Sequence, residues 1–91
     1  TPMNMRKDAL VAGAQIVLAV NRIAVETPGD QVATVGYLTV SPNATNTVPG
    51  EVDLRIDLRD LSQSHLEELV EQLKAEISAI AQSTGTEIEM R

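Results

Sequence analysis

The 91-residue sequence contains no cysteine, phenylalanine or tryptophan, and it has one tyrosine and one histidine. Without cysteine the chain can form neither disulfide bonds nor thiolate metal sites. A zinc site uses several His or Cys ligands, and His65 is the only histidine here, so no metal site is expected in this chain. Because 43% of the residues are hydrophobic, a core is expected, built mainly from Leu, Ile, Val, Ala and Met.

Positive charge is also scarce, and the net charge of the sequence is −6. Nucleic-acid binding needs a basic face that displaces phosphate counterions, and anionic membranes attract basic segments. Neither nucleic acid nor a membrane is therefore an expected partner. No apolar run approaches the roughly 20 residues of a membrane span. No signal peptide is visible either, and we expect a cytoplasmic protein.

The first long segment is strongly apolar and has the period of a helix, which we predict over Lys7–Glu26. Its polar side chains fall on one narrow stripe, formed by Asp8, Gln15, Arg22 and Glu26. Apolar residues cover most of the remaining circumference, so this helix is expected to bury more than one face. One face can pack on a sheet, and the other needs a second surface.

Two strands are predicted after a turn at Thr27–Asp30. The first covers Val32–Val40, where β-branched residues predominate and Gly36 indicates a bulge or a close backbone approach. The loop Ser41–Gly50 then leads to a second strand over Glu51–Arg59, in which charged and apolar residues alternate without a break. This alternation predicts an antiparallel sheet with one buried face and one wet face.

A second helix is predicted over His65–Gln82, with a single apolar stripe. A capping box of Ser64 and Glu67 would open this helix, and Gly85 would close it. The last segment, Thr86–Arg91, again alternates and is predicted as a strand.

The order helix, strand, strand, helix, strand predicts an α+β fold. It matches a ferredoxin-like two-layer sandwich, with an antiparallel sheet and two helices on one face, whose first strand is missing. The chain begins Thr1-Pro2 without an initiator Met and ends at Arg91 inside a predicted strand. We therefore expect residues 1–91 to be a single domain from a longer protein.

The charged strand face offers little for acid–base catalysis. Asp53 and Asp57 share a strand face with Arg55 and Arg59, which is the pattern of a solvated, charge-paired surface. Asp57 and Asp60 are a second pair of carboxylates, and none of the three is expected to be buried, so no raised pKa for acid–base work is expected.

Asn46, in the polar loop, and Arg59, at the strand end, are more informative as a pair. Alone, Asn46 is a turn residue and Arg59 is a surface ion-pair partner. Together they could offer an amide and a guanidinium fork to a carboxylate-bearing ligand.

Three segments in this order resemble the dimerisation (lid) domain of the zinc-dependent amidase/hydantoinase/carbamoylase family, within the aminoacylase-like metallopeptidase superfamily. Thr1–Leu10 resembles the family segment that follows a His-Ala-Gly motif. Thr45–Gly50 is similar to the Asn-x-(Val/Ile)-Pro loop, and Asp57–Asp60 is similar to the Asp-Leu-Arg-Asp strand end. The resemblance covers essentially the whole chain.

This resemblance implies a larger enzyme, an N-carbamoyl-L-amino acid hydrolase or an allantoate amidohydrolase, that hydrolyses a linear C–N amide bond. Zinc or another divalent metal would be bound in a catalytic domain that is absent here, so the chain alone is expected to be inactive. The lid would form a homodimer. Arg59 corresponds to the arginine that binds the substrate carboxylate, and Asn46 to an asparagine that hydrogen-bonds the substrate.

Two other functions stay open at the level of the sequence. A free-standing ferredoxin-like module that senses a ligand or binds another protein would use the same fold, because that fold serves many functions. A non-catalytic dimerisation subunit would also fit. Metal ligands encoded upstream of Thr1 would favour the enzyme over the free-standing module.

Overall fold

The computed structural model describes all 91 residues, Thr1–Arg91. In chain order it contains a 3-10 turn at Met3–Met5, helix α1 at Ala9–Glu26, strand β1 at Val32–Ser41, strand β2 at Glu51–Arg59 and helix α2 at Gln63–Thr84. The two strands form one antiparallel pair. The predicted α+β architecture is therefore confirmed.

Helix α1 begins at a side-chain cap. The Asp8 carboxylate accepts hydrogen bonds from the backbone N–H groups of Leu10, at 2.9 Å, and Val11, at 3.2 Å. These bonds satisfy donors that have no partner within the first turn of a helix. The helix consequently starts two residues after the predicted start at Lys7, and Asp8 lies outside it.

Helix α2 starts earlier than predicted. Ser62 is its N-cap, and the Ser62 hydroxyl accepts a hydrogen bond of 3.3 Å from the backbone N–H of His65. The predicted capping box of Ser64 and Glu67 is therefore wrong, because both residues lie inside the helix. Gly85 ends the helix as predicted, with a φ of 67° that favours glycine.

The sheet places the ends of β1 and β2 opposite each other. Val32 pairs with Arg59 at one end, and Ser41 pairs with Glu51 at the other. The register shifts between Val35 and Tyr37, so the bulge predicted at Gly36 is confirmed. Along β2, half-buried and exposed residues alternate over the whole strand, as the sequence predicts.

One core joins the helices to the sheet. Its buried residues come from both helices and are Ala12, Ile16, Ala19, Val20, Ile23, Leu69, Leu73, Ile77 and Ile80. Apolar side chains from the inner face of the sheet pack against this cluster, including Val35, Leu54, Ile56 and Leu58. The outer face of the sheet is exposed.

The strand predicted over Thr86–Arg91 is wrong, since this segment has no regular structure. Backbone groups form a β-ladder only beside another strand, and both strands of this sheet pair solely with each other. Ile88 nevertheless packs against the core, which accounts for its place in the alternating pattern.

Candidate functional site

Arg59 is the last residue of β2, and its side chain projects from the exposed face of the sheet with 76% of its surface accessible. Its Nε donates a hydrogen bond of 2.8 Å to Oδ2 of Asp57, two residues earlier on the same face. No other protein group binds the guanidinium, so its two terminal nitrogens face solvent. One edge of the fork is thus fixed, and the other is free to bind a ligand.

The second arginine on this face is engaged differently. The Arg55 guanidinium lies 4.2 Å from the centre of the Tyr37 ring, a cation–π contact. Arg55 is also 4.0 Å from the Asp53 carboxylate. Arg59 is therefore the arginine of β2 whose terminal nitrogens have no partner.

The sequence did not distinguish Asp57 from the other charges of β2. In the structure it is the residue that orients Arg59. Its spacing of two along a strand places both side chains on one face, and that spacing is the signal from which the contact could have been predicted.

Asn46 lies in the exposed turn at the tip of the β1–β2 loop. The base of this loop is anchored on two sides. Gly50 donates a backbone hydrogen bond of 3.0 Å to Ser41, and Ala9, the first residue of α1, donates one of 3.1 Å to the carbonyl of Pro49. These bonds hold the root of the loop while the Asn46 amide stays accessible.

Asn46 and Arg59 lie at opposite ends of the strand pair. The loop that contains Asn46 joins the strands next to Glu51, whereas Arg59 is at the far end of β2. Eight steps along a strand correspond to about 26 Å. The length of β2 therefore separates the root of the Asn46 loop from Arg59.

The expectation that none of the carboxylates near β2 is buried is wrong for Asp60, which follows Arg59. Its side chain is only 8% exposed and contacts the Nδ1 atom of His65 on the first turn of α2. The backbone N–H of Ser62 donates to the Asp60 carboxylate and lowers its pKa, and the contact with His65 lowers the pKa further. Asp60 is consequently held in its charged form.

Nothing in the chain resembles a metal centre. No group of three or more His, Cys, Asp or Glu side chains comes together. His65, the only histidine, is paired with Asp60. The donor set does not fit a catalytic metal ion.

Comparison with known proteins identifies the family of the chain. A family model described as the peptidase dimerisation domain matches residues 5–85. The chain is 44% identical over 85 residues to an N-carbamoyl-L-amino-acid amidohydrolase of Paenarthrobacter aurescens, a match that covers 93% of this chain and 21% of the relative. It is 34% identical over 85 residues to an allantoate amidohydrolase of Bacillus subtilis (strain 168), with coverage of 93% and 21%.

A solved structure shows the same fold. The crystal structure of an amidase of the hydantoinase/carbamoylase family from Burkholderia multivorans superposes with a TM-score of 0.92 at 36% identity, over 96% of this chain and 21% of that one. The chain spans about a fifth of the length of these relatives. The resemblance noted in the sequence is confirmed, and the chain belongs to the peptidase dimerisation domain family.

Proposed function

We propose that this domain dimerises and binds the substrate carboxylate in an amidohydrolase that cleaves linear C–N amide bonds of N-carbamoyl or ureido acids. The observation that carries the proposal is the state of Arg59, whose guanidinium is oriented by Asp57 on one edge and unpaired on the other. The relatives named above are amidohydrolases of this substrate class.

Arg59 suits a carboxylate because a guanidinium offers two parallel N–H donors in a planar fork, which matches the two oxygens of the ligand. The ion pair with Asp57 involves Nε alone, so both terminal nitrogens stay available. Lysine at this position would keep the charge but lose the fork.

The distance between Asn46 and Arg59 determines how they can share a substrate. Because about 26 Å separates the two ends of β2, a site that contains both residues takes Arg59 from one subunit and Asn46 from its partner. A two-fold symmetric dimer would then contain two such sites. We propose this composite site in place of the single-chain pair that the sequence alone allowed.

We infer that a second copy of the chain packs against the outer face of α1. Val11, Leu18 and Val25 recur every seven residues on that face and are 48%, 69% and 73% exposed. An apolar stripe of this kind on a surface helix is typical of an interaction site. We propose that it forms part of a homodimer interface, as the family's description as a dimerisation domain supports.

The bond-breaking chemistry lies outside this domain in our proposal. The chain lacks a cluster of metal-ligating side chains, so a divalent metal, which would activate the attacking water, would be held by a catalytic domain elsewhere in a cytoplasmic enzyme. Arg59 and Asn46 of this domain bind and orient the substrate.

The proposal is tested by steady-state kinetics of the full-length enzyme with an N-carbamoyl amino acid as substrate. Arg59→Ala should cost about 2–5 kcal/mol in kcat/KM, because it removes a charged partner from the bound carboxylate. Arg55→Ala is the matched control, since Arg55 lies on the same face but is engaged by Tyr37. Wild-type kinetics for Arg59→Ala, in a metal-loaded enzyme, would refute the role of Arg59.

A further inference from the structure

Two polar residues with mostly buried side chains, Asp60 and Gln31, flank the sheet end that carries Arg59. Asp60 follows Arg59 in the chain, and Gln31 precedes Val32, the residue that pairs with Arg59 across the sheet. The Asp60 side chain is 8% exposed, and so is Gln31. We call the following four residues the strand-end cluster: Gly29, Gln31, Asp60 and His65.

Asp60 ties the end of β2 to the start of α2. One carboxylate oxygen accepts a hydrogen bond of 3.0 Å from the backbone N–H of Ser62. The other contacts Nδ1 of His65. Since Ser62 is the N-cap of α2 and binds the backbone N–H of His65, the strand end and the helix start form one hydrogen-bonded unit.

Gln31 ties the start of β1 to the end of α1. Its Nε2 donates to the carbonyl oxygens of Ala24, at 2.8 Å, and Thr27, at 2.6 Å. These carbonyls belong to the last turn of the helix and the residue that follows it, where acceptors lack intrahelical partners. The amide oxygen of Gln31 is buried without a hydrogen-bond partner, an arrangement that costs free energy.

Gly29 joins the two halves of the strand-end cluster. A Cβ atom at this position would lie 2.6 Å from Oε1 of Gln31 and 2.8 Å from Cε1 of His65. The Gln31 amide and the His65 ring therefore both press against the backbone of Gly29, whose φ of 133° also favours glycine. Through this contact the turn after α1 packs against the first turn of α2.

The sheet end that carries Arg59 is therefore attached to both helices. Gln31 connects the start of β1 to α1, and Asp60 connects the end of β2 to α2. Strand ends without such ties open locally at low cost in free energy. The cluster also uses both oxygens of the Asp60 carboxylate.

We propose that the strand-end cluster positions Arg59 for binding of the substrate carboxylate. His65, Asp60 and Gln31 are the positioning residues. This inference rests on the proposed function of Arg59. Groups that hold a binding side chain in place improve affinity by restricting it to the productive geometry. Their removal should therefore raise KM and leave kcat nearly unchanged.

The test is a double-mutant cycle in the full-length enzyme, with an N-carbamoyl amino acid as the probe. His65→Ala should raise KM by about tenfold, and should raise it no further in a protein that already carries Arg59→Ala. His65→Asn should restore most of the loss, because the Asn amide can donate to Asp60 in place of Nδ1. Gln63→Ala is the control, since Gln63 lies on the same helical turn and binds only the exposed Glu67.

The outcomes separate this inference from the proposed function. If Arg59→Ala raises KM but His65→Ala does not, or if His65→Ala has the same effect with and without Arg59, the positioning role is overturned and the role of Arg59 stands. If Arg59→Ala leaves both kcat and KM unchanged, the proposed function fails and the inference fails with it. If His65→Ala does not fold, Asp60→Asn replaces it in the cycle. A rise in KM that disappears when Arg59→Ala is also present supports the positioning role, and an unchanged KM or an equal rise with and without Arg59 overturns it.

Discussion

Asp57 and Arg59 lie two residues apart on the exposed face of β2, and Oδ2 of Asp57 accepts a hydrogen bond of 2.8 Å from Nε of Arg59. The contact restricts a long and otherwise free side chain without occupying its terminal nitrogens. Both partners are more than half exposed, so water screens the pair and its free energy is small. The value of the contact is therefore in orientation rather than in stability.

Removing Asp57 should weaken substrate binding modestly. An exposed ion pair is worth about 0.2–1 kcal/mol, so Asp57→Ala should raise KM by about 1.4- to fivefold, far less than Arg59→Ala. Steady-state kinetics of the full-length enzyme give the comparison. Asp53→Ala is the matched control, because Asp53 lies on the same face beside Arg55. Equal effects of the Asp57 and Asp53 substitutions would contradict an orienting role.

A charge in the apolar stripe of α1 should break the dimer. Leu18 is 69% exposed in the single chain, and a dimer that buries it would have to desolvate a glutamate placed there. We expect Leu18→Glu to be monomeric in sedimentation velocity at concentrations where the parent protein is dimeric. Leu61→Glu is the control, because Leu61 is fully exposed and lies outside α1. A dimeric Leu18→Glu protein would place the interface elsewhere.

Asp60 should make stability depend on acid pH. Its pKa in the folded protein lies below the ordinary value of 3.8, chiefly because the backbone N–H of Ser62 donates to the carboxylate. A lowered pKa stabilises the fold above the pKa of the unfolded chain, and this stabilisation is lost as the pH falls through the folded pKa. The advantage of the parent over Asp60→Asn should thus shrink below pH 3.8.

Chemical denaturation of both proteins between neutral pH and about pH 2.5 measures this difference in the free energy of unfolding. A difference that stays constant over the whole range would show that the folded state does not hold the Asp60 charge.

Local patterns in the sequence were sufficient to predict most of the fold. The alternation in Glu51–Arg59 gave both bounds of β2, and Gly36 and Gly85 marked the bulge and the end of α2. The start of α2 was predicted two residues too late, because Ser62 and Ser64 are both suitable N-cap residues. The Asp60 carboxylate binds the backbone N–H of Ser62, and this turn selects Ser62 over Ser64.

Features that depend on distant parts of the chain were harder to predict. Alternation over Thr86–Arg91 indicates a side-chain period, but a strand also needs a neighbour, which no local pattern reveals. The strand-end cluster joins Gln31 to His65 through tertiary packing at Gly29. The sequence places Asn46 in a loop and Arg59 on the strand that follows it, yet only the strand register shows that they lie at opposite ends of the strand pair.

Mixed dimers can show whether Arg59 of one subunit and Asn46 of its partner bind the same substrate molecule. Full-length subunits with Arg59→Ala and subunits with Asn46→Ala are co-expressed with different affinity tags, and the purified heterodimer is assayed with an N-carbamoyl amino acid. In a composite site both losses fall on one of the two sites and the other is intact, so the heterodimer should recover about half of the parent's activity. Activity no higher than the mean of the two single-variant homodimers would contradict the account.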